Sequence, residues 1–191
     1  KPVVTKLKKI FGDNLYATDD KTIQEVVVKL LLENGLSIAT AESCTAGLIS
    51  KRITDVSGSS NVFSMGVAAY SAETKTKLLS VPPSLIERKG TVCKEVAVYM
   101  ALGVKNKSGA TYGVGVTGVA GGSVEGKPNG LVYVAVTDGE QYWVKQLRIG
   151  HGTDEERDYV RQVASSYALD MVRRIILGVA EDAKPLKLKS Q

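Results

Sequence analysis

Cysteine and histidine, the residues that most often mark a metal or triad site, are scarce: the 191-residue chain holds two cysteines and one histidine. Cys44 and Cys93 form no CxxC pattern or other zinc-ligand spacing, and His151 completes no ligand set, so no metal is expected. A Ser-His-Asp triad would rest on His151 alone, between Gly150 and Gly152. A serine nucleophile here therefore needs a different base. Aromatic residues make up only 6% of the chain and are not interleaved with basic ones as in single-strand binders. No stretch approaches the ~18 to 20 apolar residues of a membrane span, so no membrane partner is expected. The chain opens on Lys1 with no signal-peptide pattern, and a cytoplasmic location is the expectation.

What is present is an ordinary apolar fraction, long enough for one domain with a real core, and a net charge of +5. Much of that charge lies at the ends, in Lys1, Lys6, Lys8 and Lys9 and in Lys184, Lys187 and Lys189. Placed there it reads as solvated tails, and nucleic acid is not expected as the main ligand. A basic bias still suits a small phosphorylated substrate.

Periodicity divides the chain into a linker or appendage over 1–20, a domain over 21–179 and a disordered basic tail over 180–191. A Thr22-x-x-Glu25 capping box opens a helix to Glu33, with Ile23, Val26, Val27, Leu30 and Leu31 on one face. A strand follows over 36–41, a helix from Thr45 to Ile53, and a strand over 62–70 that ends at Tyr70. A short helix begins near Ala72 and carries Lys75, before Val81-Pro-Pro83 breaks the pattern. Helical spacing returns from Lys94 to Lys107. The run Tyr112-Gly-Val-Gly-Val116 leads into a glycine-rich loop, and Leu131–Val136 pairs with Gln141–Ile149 as a hairpin through Asp138-Gly139. A Thr153-x-x-Glu156 box then opens a long amphipathic helix that stops at Gly178. The expected fold is α/β: a three-layer α/β/α sandwich with a mixed, mainly parallel sheet and one antiparallel hairpin.

Strand ends of such a sheet share an edge, where three segments converge. One is Ile38–Gly47, which exposes Ser43 and offers the amides of Thr45, Ala46 and Gly47 to an anion. The others are Tyr70-Ser-Ala-Glu-Thr-Lys75 and the Thr117–Gly130 loop. Lysine serves as a base for serine when desolvation lowers its pKa, which makes Lys75 the candidate base. The residues alone leave other readings open: Ser43 as a helix cap, Lys75 as a surface lysine, Tyr70 as a packing side chain, the glycines as a bare turn.

The ordered blocks Thr40-Ala-Glu-Ser-Cys-Thr-Ala-Gly47, Thr54-Asp-Val-Ser-Gly-Ser-Ser60, Ala69-Tyr-Ser-Ala-Glu-Thr-Lys75, Gly115-Val-Thr-Gly-Val-Ala-Gly121 and Lys127-Pro-x-Gly130 resemble the C-terminal domain of the CinA (competence/damage-inducible) family over roughly 22–177. That family includes nicotinamide mononucleotide deamidases, serine amidohydrolases that release ammonia and need no cofactor. The resemblance implies Ser43 as nucleophile, Lys75 as base and Tyr70 as helper. It implies a substrate site of Thr45, Ala46, Gly47, Thr117, Gly118 and a basic residue of the last helix, Arg161 before Arg157. The partner it implies is a small pyridine nucleotide, and a homo-oligomer is expected. Ile10–Ala17 also resembles the piece that precedes this domain in two-domain members, which carry an upstream molybdopterin-binding-like domain with nucleotide pyrophosphatase activity, so Lys1 is expected to mark a fragment boundary. Ala46 stands where the family pattern has glycine and the glycine loop is about two residues shorter, which leaves a catalytically weak nucleotide-binding or interaction domain as the alternative. Cys93 stands where the pattern has a capping serine.

Overall fold

The structure is a computed structural model, and it describes residues 2–180 and 182–186. In chain order the helices are α1 (Pro2–Phe11), α2 (Ile23–Glu33), α3 (Leu48–Thr54), α4 (Ala72–Leu79), α5 (Pro83–Lys89), α6 (Lys94–Ser108) and α7 (Arg157–Ile176). The strands are β1 (Ile38–Glu42), β2 (Phe63–Ala68), β3 (Tyr112–Gly118), β4 (Leu131–Thr137), β5 (Gln141–Arg148) and β6 (Lys184–Pro185). They form one six-stranded sheet in the order β2-β1-β3-β4-β5-β6. β1 pairs parallel with both β2 and β3, and the pairs from β3 onward are antiparallel. Thus β1, β2, β3 and β5 all run one way, with β4 and β6 against them, which is the mixed sheet and hairpin that the pattern predicts. No helix among the described residues is long and apolar enough to cross a membrane.

Side-chain size decides how the layers meet. On one face Gly113 and Gly115 of β3 alternate with Val114 and Val116, so that α6 lies directly against the strand backbone. A Cβ at Gly115 would stand 2.1 Å from the carbonyl oxygen of Ala97, and one at Gly113 would stand 2.0 Å from that of Ala101. Ala39 and Ala41 of β1 and Met100 of α6 continue this layer, together with Leu79 of α4. On the other face Val114, Val116, Val132 and Val134 meet Val27 and Leu31 of α2, Ile49 and Ile53 of α3, and Ala164, Ala168 and Val172 of α7. The sandwich is therefore three-layered, with the parallel strands β1 and β3 buried at its centre.

The expected boundaries move in several places. The Thr22 box caps α2 as expected, and its Oγ1 accepts from the Glu25 amide while the Glu25 carboxylate accepts from the Thr22 amide. The helix expected from Thr45 begins instead at Leu48, because Ala46 and Gly47 take left-handed φ values of 49° and 91°. Pro83 does not merely break a pattern; it occupies the first turn of α5, where a missing N–H costs nothing. Within the 1–20 appendage, α1 is a helix without a buried residue, and Asp13 and Asn14 are tied back by Arg173 and Arg174 of α7. Of the tail expected to be disordered, Lys184 and Pro185 pair with Tyr142 and Gln141 as β6, whereas Lys187 and Lys189 lie outside the described residues, as does Lys1. Cys93 is the residue before α6 yet makes no side-chain cap.

The glycine contact with α6 yields a direct test. Gly115→Ala is expected to cost about 3 kcal/mol by forcing a methyl into helix backbone, read as a lowered midpoint in urea unfolding at unchanged slope. A change of under ~0.5 kcal/mol, within the range of ordinary surface substitutions, would show that the layers have slack.

Candidate active site

Ser43 follows β1 directly, and its amide donates to the Val116 carbonyl at 2.9 Å, so the sheet ladder carries it to the carboxyl edge of the strands. Beside it, the Ala69 amide donates to the Glu42 carbonyl at 2.8 Å, which registers the end of β2 against the end of β1. The chain then turns through Tyr70 into α4, capped by Ser71, whose hydroxyl accepts from the Thr74 amide at 3.0 Å. One turn into that helix, Lys75 points back under the strand ends. It is 1% exposed.

Its Nζ lies 3.0 Å from Ser43 Oγ, 2.7 Å from the Ala69 carbonyl and 3.1 Å from the Tyr70 carbonyl. Burial penalises the ammonium and lowers the pKa of Lys75 to about 8, while nearby Cys44 and Glu125 oppose that shift. In the neutral amine both N–H groups satisfy the two carbonyls, and the lone pair is left for the Ser43 hydroxyl. That is the arrangement a general base needs. Cys44, next in sequence and also buried, has its thiol pushed up to about 12 by desolvation, so sulfur does not compete as nucleophile near neutrality.

Glu42 supplies the support beneath. This fully buried residue accepts from the amides of Ile49 and Ser50 at 3.0 and 2.9 Å and from the Ser50 hydroxyl at 2.7 Å. Its carboxyl group fills the start of α3, so the Ile49 and Ser50 amides are not free to receive a substrate oxyanion, and of the three amides expected for that role Ala46 N is already paired. Leu48 N donates to the Thr45 carbonyl and Ala46 N to the Ser43 carbonyl, at 3.1 Å each. Among the described residues the amides of Cys44 and Thr45 donate to no backbone carbonyl, and both flank the Cys44 sulfur.

A cleft of about 130 Å³ opens at Ser43, lined also by Cys44, Tyr70, Thr91, Gly118 and Arg157. Gly118 thus reaches the site as expected. Thr117 does not: it is fully buried, and its hydroxyl donates to the Thr91 carbonyl at 2.9 Å. Ala46 is exposed and does not line the cleft, so its methyl does not crowd it; what the residue carries is a left-handed backbone that glycine adopts more readily. Arg157 rather than Arg161 borders the cleft, with Nη2 3.2 Å from the Tyr70 hydroxyl and Nη1 donating to the Ala120 carbonyl. Arg161 braces the turn behind Ser43 through the Thr45 carbonyl at 3.1 Å. His151 is exposed, and its amide donates to the Glu156 carboxylate.

Sequence reasoning passed over Glu42 and Asn129. A charged residue inside the apolar run Ile38–Ala41 was the available signal for Glu42. Asn129 is the unassigned position of Lys127-Pro-x-Gly130; its Oδ1 accepts from Gly121 N at 2.7 Å and its Nδ2 donates to the Thr153 carbonyl. It thereby ties the glycine loop to the start of α7. Larger depressions of about 400 and 470 Å³ lie along α7, but no serine–lysine pair lines them.

Fold and site together define a class: an α/β/α domain built around a buried serine–lysine pair at the carboxyl edge of parallel strands. The model of the CinA C-terminal domain matches residues 20–176, and the chain belongs to the CinA family. It is 45% identical over 185 residues to a CinA-like protein of Desulfovibrio desulfuricans, covering 96% of this chain and 43% of that protein. It is also 45% identical over 168 residues to a CinA-like protein of Geobacter sulfurreducens, covering 87% of this chain and 40% of that one. The chain thus spans less than half the length of these relatives. Among solved structures, the competence/damage inducible protein CihA of Agrobacterium tumefaciens superposes with a TM-score of 0.73 at 30% identity, covering 83% of this chain and 99% of that one. A CinA superfamily protein of Klebsiella pneumoniae gives 0.77 at 23% identity, covering 82% and 96%, which shows the shared fold.

The buried lysine has a measurable effect on stability. Its folded pKa of about 8 lies below the ordinary lysine value of 10.5, so between those pH values the unfolded chain holds a proton that the folded chain has released. Stability therefore rises as pH climbs through that window, and below it the folded state bears the full cost of a desolvated ammonium, on the order of 3 kcal/mol. Lys75→Met is expected to be more stable than the parent at pH 7, with a gap that narrows towards pH 10.5 in parallel denaturation curves. A gap independent of pH would place Lys75 in an ordinary solvated state.

Proposed function

We propose that the domain is an amidohydrolase that converts nicotinamide mononucleotide to nicotinate mononucleotide and ammonia through Ser43. The observation that carries this reading is the Lys75 amine held 3.0 Å from Ser43 Oγ in a site where burial keeps it deprotonable. Membership of the CinA family supports it, since the sequence resemblance includes such deamidases.

In this mechanism Lys75 takes the Ser43 proton as Oγ attacks the carboxamide carbon. The C=O pair moves onto oxygen, and the amides of Cys44 and Thr45 receive the oxyanion. The tetrahedral intermediate collapses as Lys75 returns the proton to nitrogen, and ammonia leaves a nicotinoyl ester on Ser43. Lys75 then deprotonates a water, which attacks the ester and releases the carboxylate and the serine. The small cleft takes the carboxamide end of the ring. Arg157 at its border is the residue assigned to the nucleotide phosphate, and its bond to the Tyr70 hydroxyl holds that tyrosine at the cleft.

Ammonia release from the mononucleotide is expected in the parent chain and lost by at least ~10³-fold in Ser43→Ala and Lys75→Ala, with circular dichroism unchanged. Because the free base must be neutral, kcat/KM is expected to rise with pH and level off above about 8, the value to which burial lowers Lys75. Full turnover in either variant, or a rate that falls across that interval, would contradict the assigned roles. Binding without turnover in the parent would favour the non-catalytic alternative.

A further inference from the structure

Arg52 of α3 is a half-buried cation with neutral partners only. Its Nη1 donates to the hydroxyls of Ser165 and Ser166 at 2.7 and 2.8 Å, and its Nη2 donates to the Gln24 side-chain carbonyl at 2.9 Å. Among the described residues it makes no ion pair. Burial pushes its pKa down, and the Tyr16 phenol lies close enough to act on its charge. A half-buried guanidinium is normally paired with an anion, and here the described residues supply none.

The same arginine borders a depression of about 400 Å³, a size within the range of small-molecule sites. Tyr16 and Tyr167 contribute aromatic surface, Ile23 and Val163 an apolar floor, and Thr22 and Ser166 hydroxyls. Asp170 also lines it, but its carboxylate is bound by Arg173 Nε at 2.7 Å and Arg174 Nε at 2.9 Å, so the surroundings stay net positive. Along α7, Ser166 and Asp170 lie some 9 to 13 residues beyond Arg157, roughly 14 to 20 Å from the Ser43 cleft. The depression is a separate place and shares no lining residue with the Ser43 cleft.

We infer that Arg52 and the two tyrosines form a second binding site, for a small phosphorylated aromatic metabolite of the nucleoside monophosphate class. The phosphate supplies the counter-ion that Arg52 lacks through charge-assisted hydrogen bonds. The aromatic group lies against Tyr16 and Tyr167.

Ser166→Asp places a carboxylate where the Ser166 hydroxyl meets Arg52 and so provides the missing anion internally. Calorimetry of the full chain with adenosine monophosphate, adenosine and inorganic phosphate separates the possible sources of binding. The monophosphate is expected to bind the parent more tightly than either fragment, and about 30-fold more weakly to Ser166→Asp. The variant's own melting temperature should be no lower than the parent's. Tyr16→Ala, at a partly exposed side chain, is expected to weaken the monophosphate and leave phosphate unchanged. No binding of the monophosphate to the parent at millimolar concentration, equal binding to Ser166→Asp, or equal affinity for phosphate and monophosphate would each overturn the assignment.

Discussion

The site depends on one amine withdrawn from water. Lys75 is among the largest fully buried side chains, and it is held by two backbone carbonyls and one serine hydroxyl rather than by a carboxylate. A carboxylate there would have stabilised the ammonium and raised the pKa, leaving a spectator. Neutral acceptors orient the amine without holding its proton, and desolvation then lowers the pKa to about 8. The two carbonyls belong to Ala69 and Tyr70, so the β2–α4 junction must sit at the end of β1. The bond from Ala69 N to the Glu42 carbonyl and the parallel pairing of β1 with β2 put it there.

Glu42 meets the complementary requirement on the serine side. Its carboxyl group closes the start of α3 and fixes a turn in which Ala46 and Gly47 are both left-handed. Such a turn releases the amides of Cys44 and Thr45 from backbone pairing, so oxyanion stabilisation passes from a helix end to a pair of turn amides in the proposed mechanism. Both halves of the serine–lysine pair are thus placed by backbone bonds at strand ends, and the packed glycine–helix layer beneath keeps those ends in register.

Much of this was legible from local pattern. The capping box at Thr22 located α2, alternation located β2 and the Asp138-Gly139 turn located the hairpin, because each of these depends on residues a few positions apart; the Thr153 box instead opens the 3-10 turn Asp154–Glu156, and α7 follows from Arg157. Ser43, Lys75 and Tyr70 were found from their strand-end positions and the ordered motif blocks. What the sequence could not disclose depends on three-dimensional contacts. The burial of Lys75 comes from packing across elements, and the choice between Arg157 and Arg161 turns on one helical turn of α7, where the nearer residue reaches Tyr70 and the other braces Thr45. The strand at Lys184 was read as tail because two residues have no period, and it forms only because β5 offers an edge.

The proposed mechanism requires Lys75 to be a neutral-capable base in the folded, unliganded domain. A titration of the lysine side-chain ¹³Cε resonances followed by NMR, with the Lys75 signal identified by its loss in Lys75→Met, tests that claim without reference to any substrate. This one lysine is expected to titrate near the value of about 8 that its burial imposes. A midpoint in the ordinary lysine range, about 10.4, would contradict it.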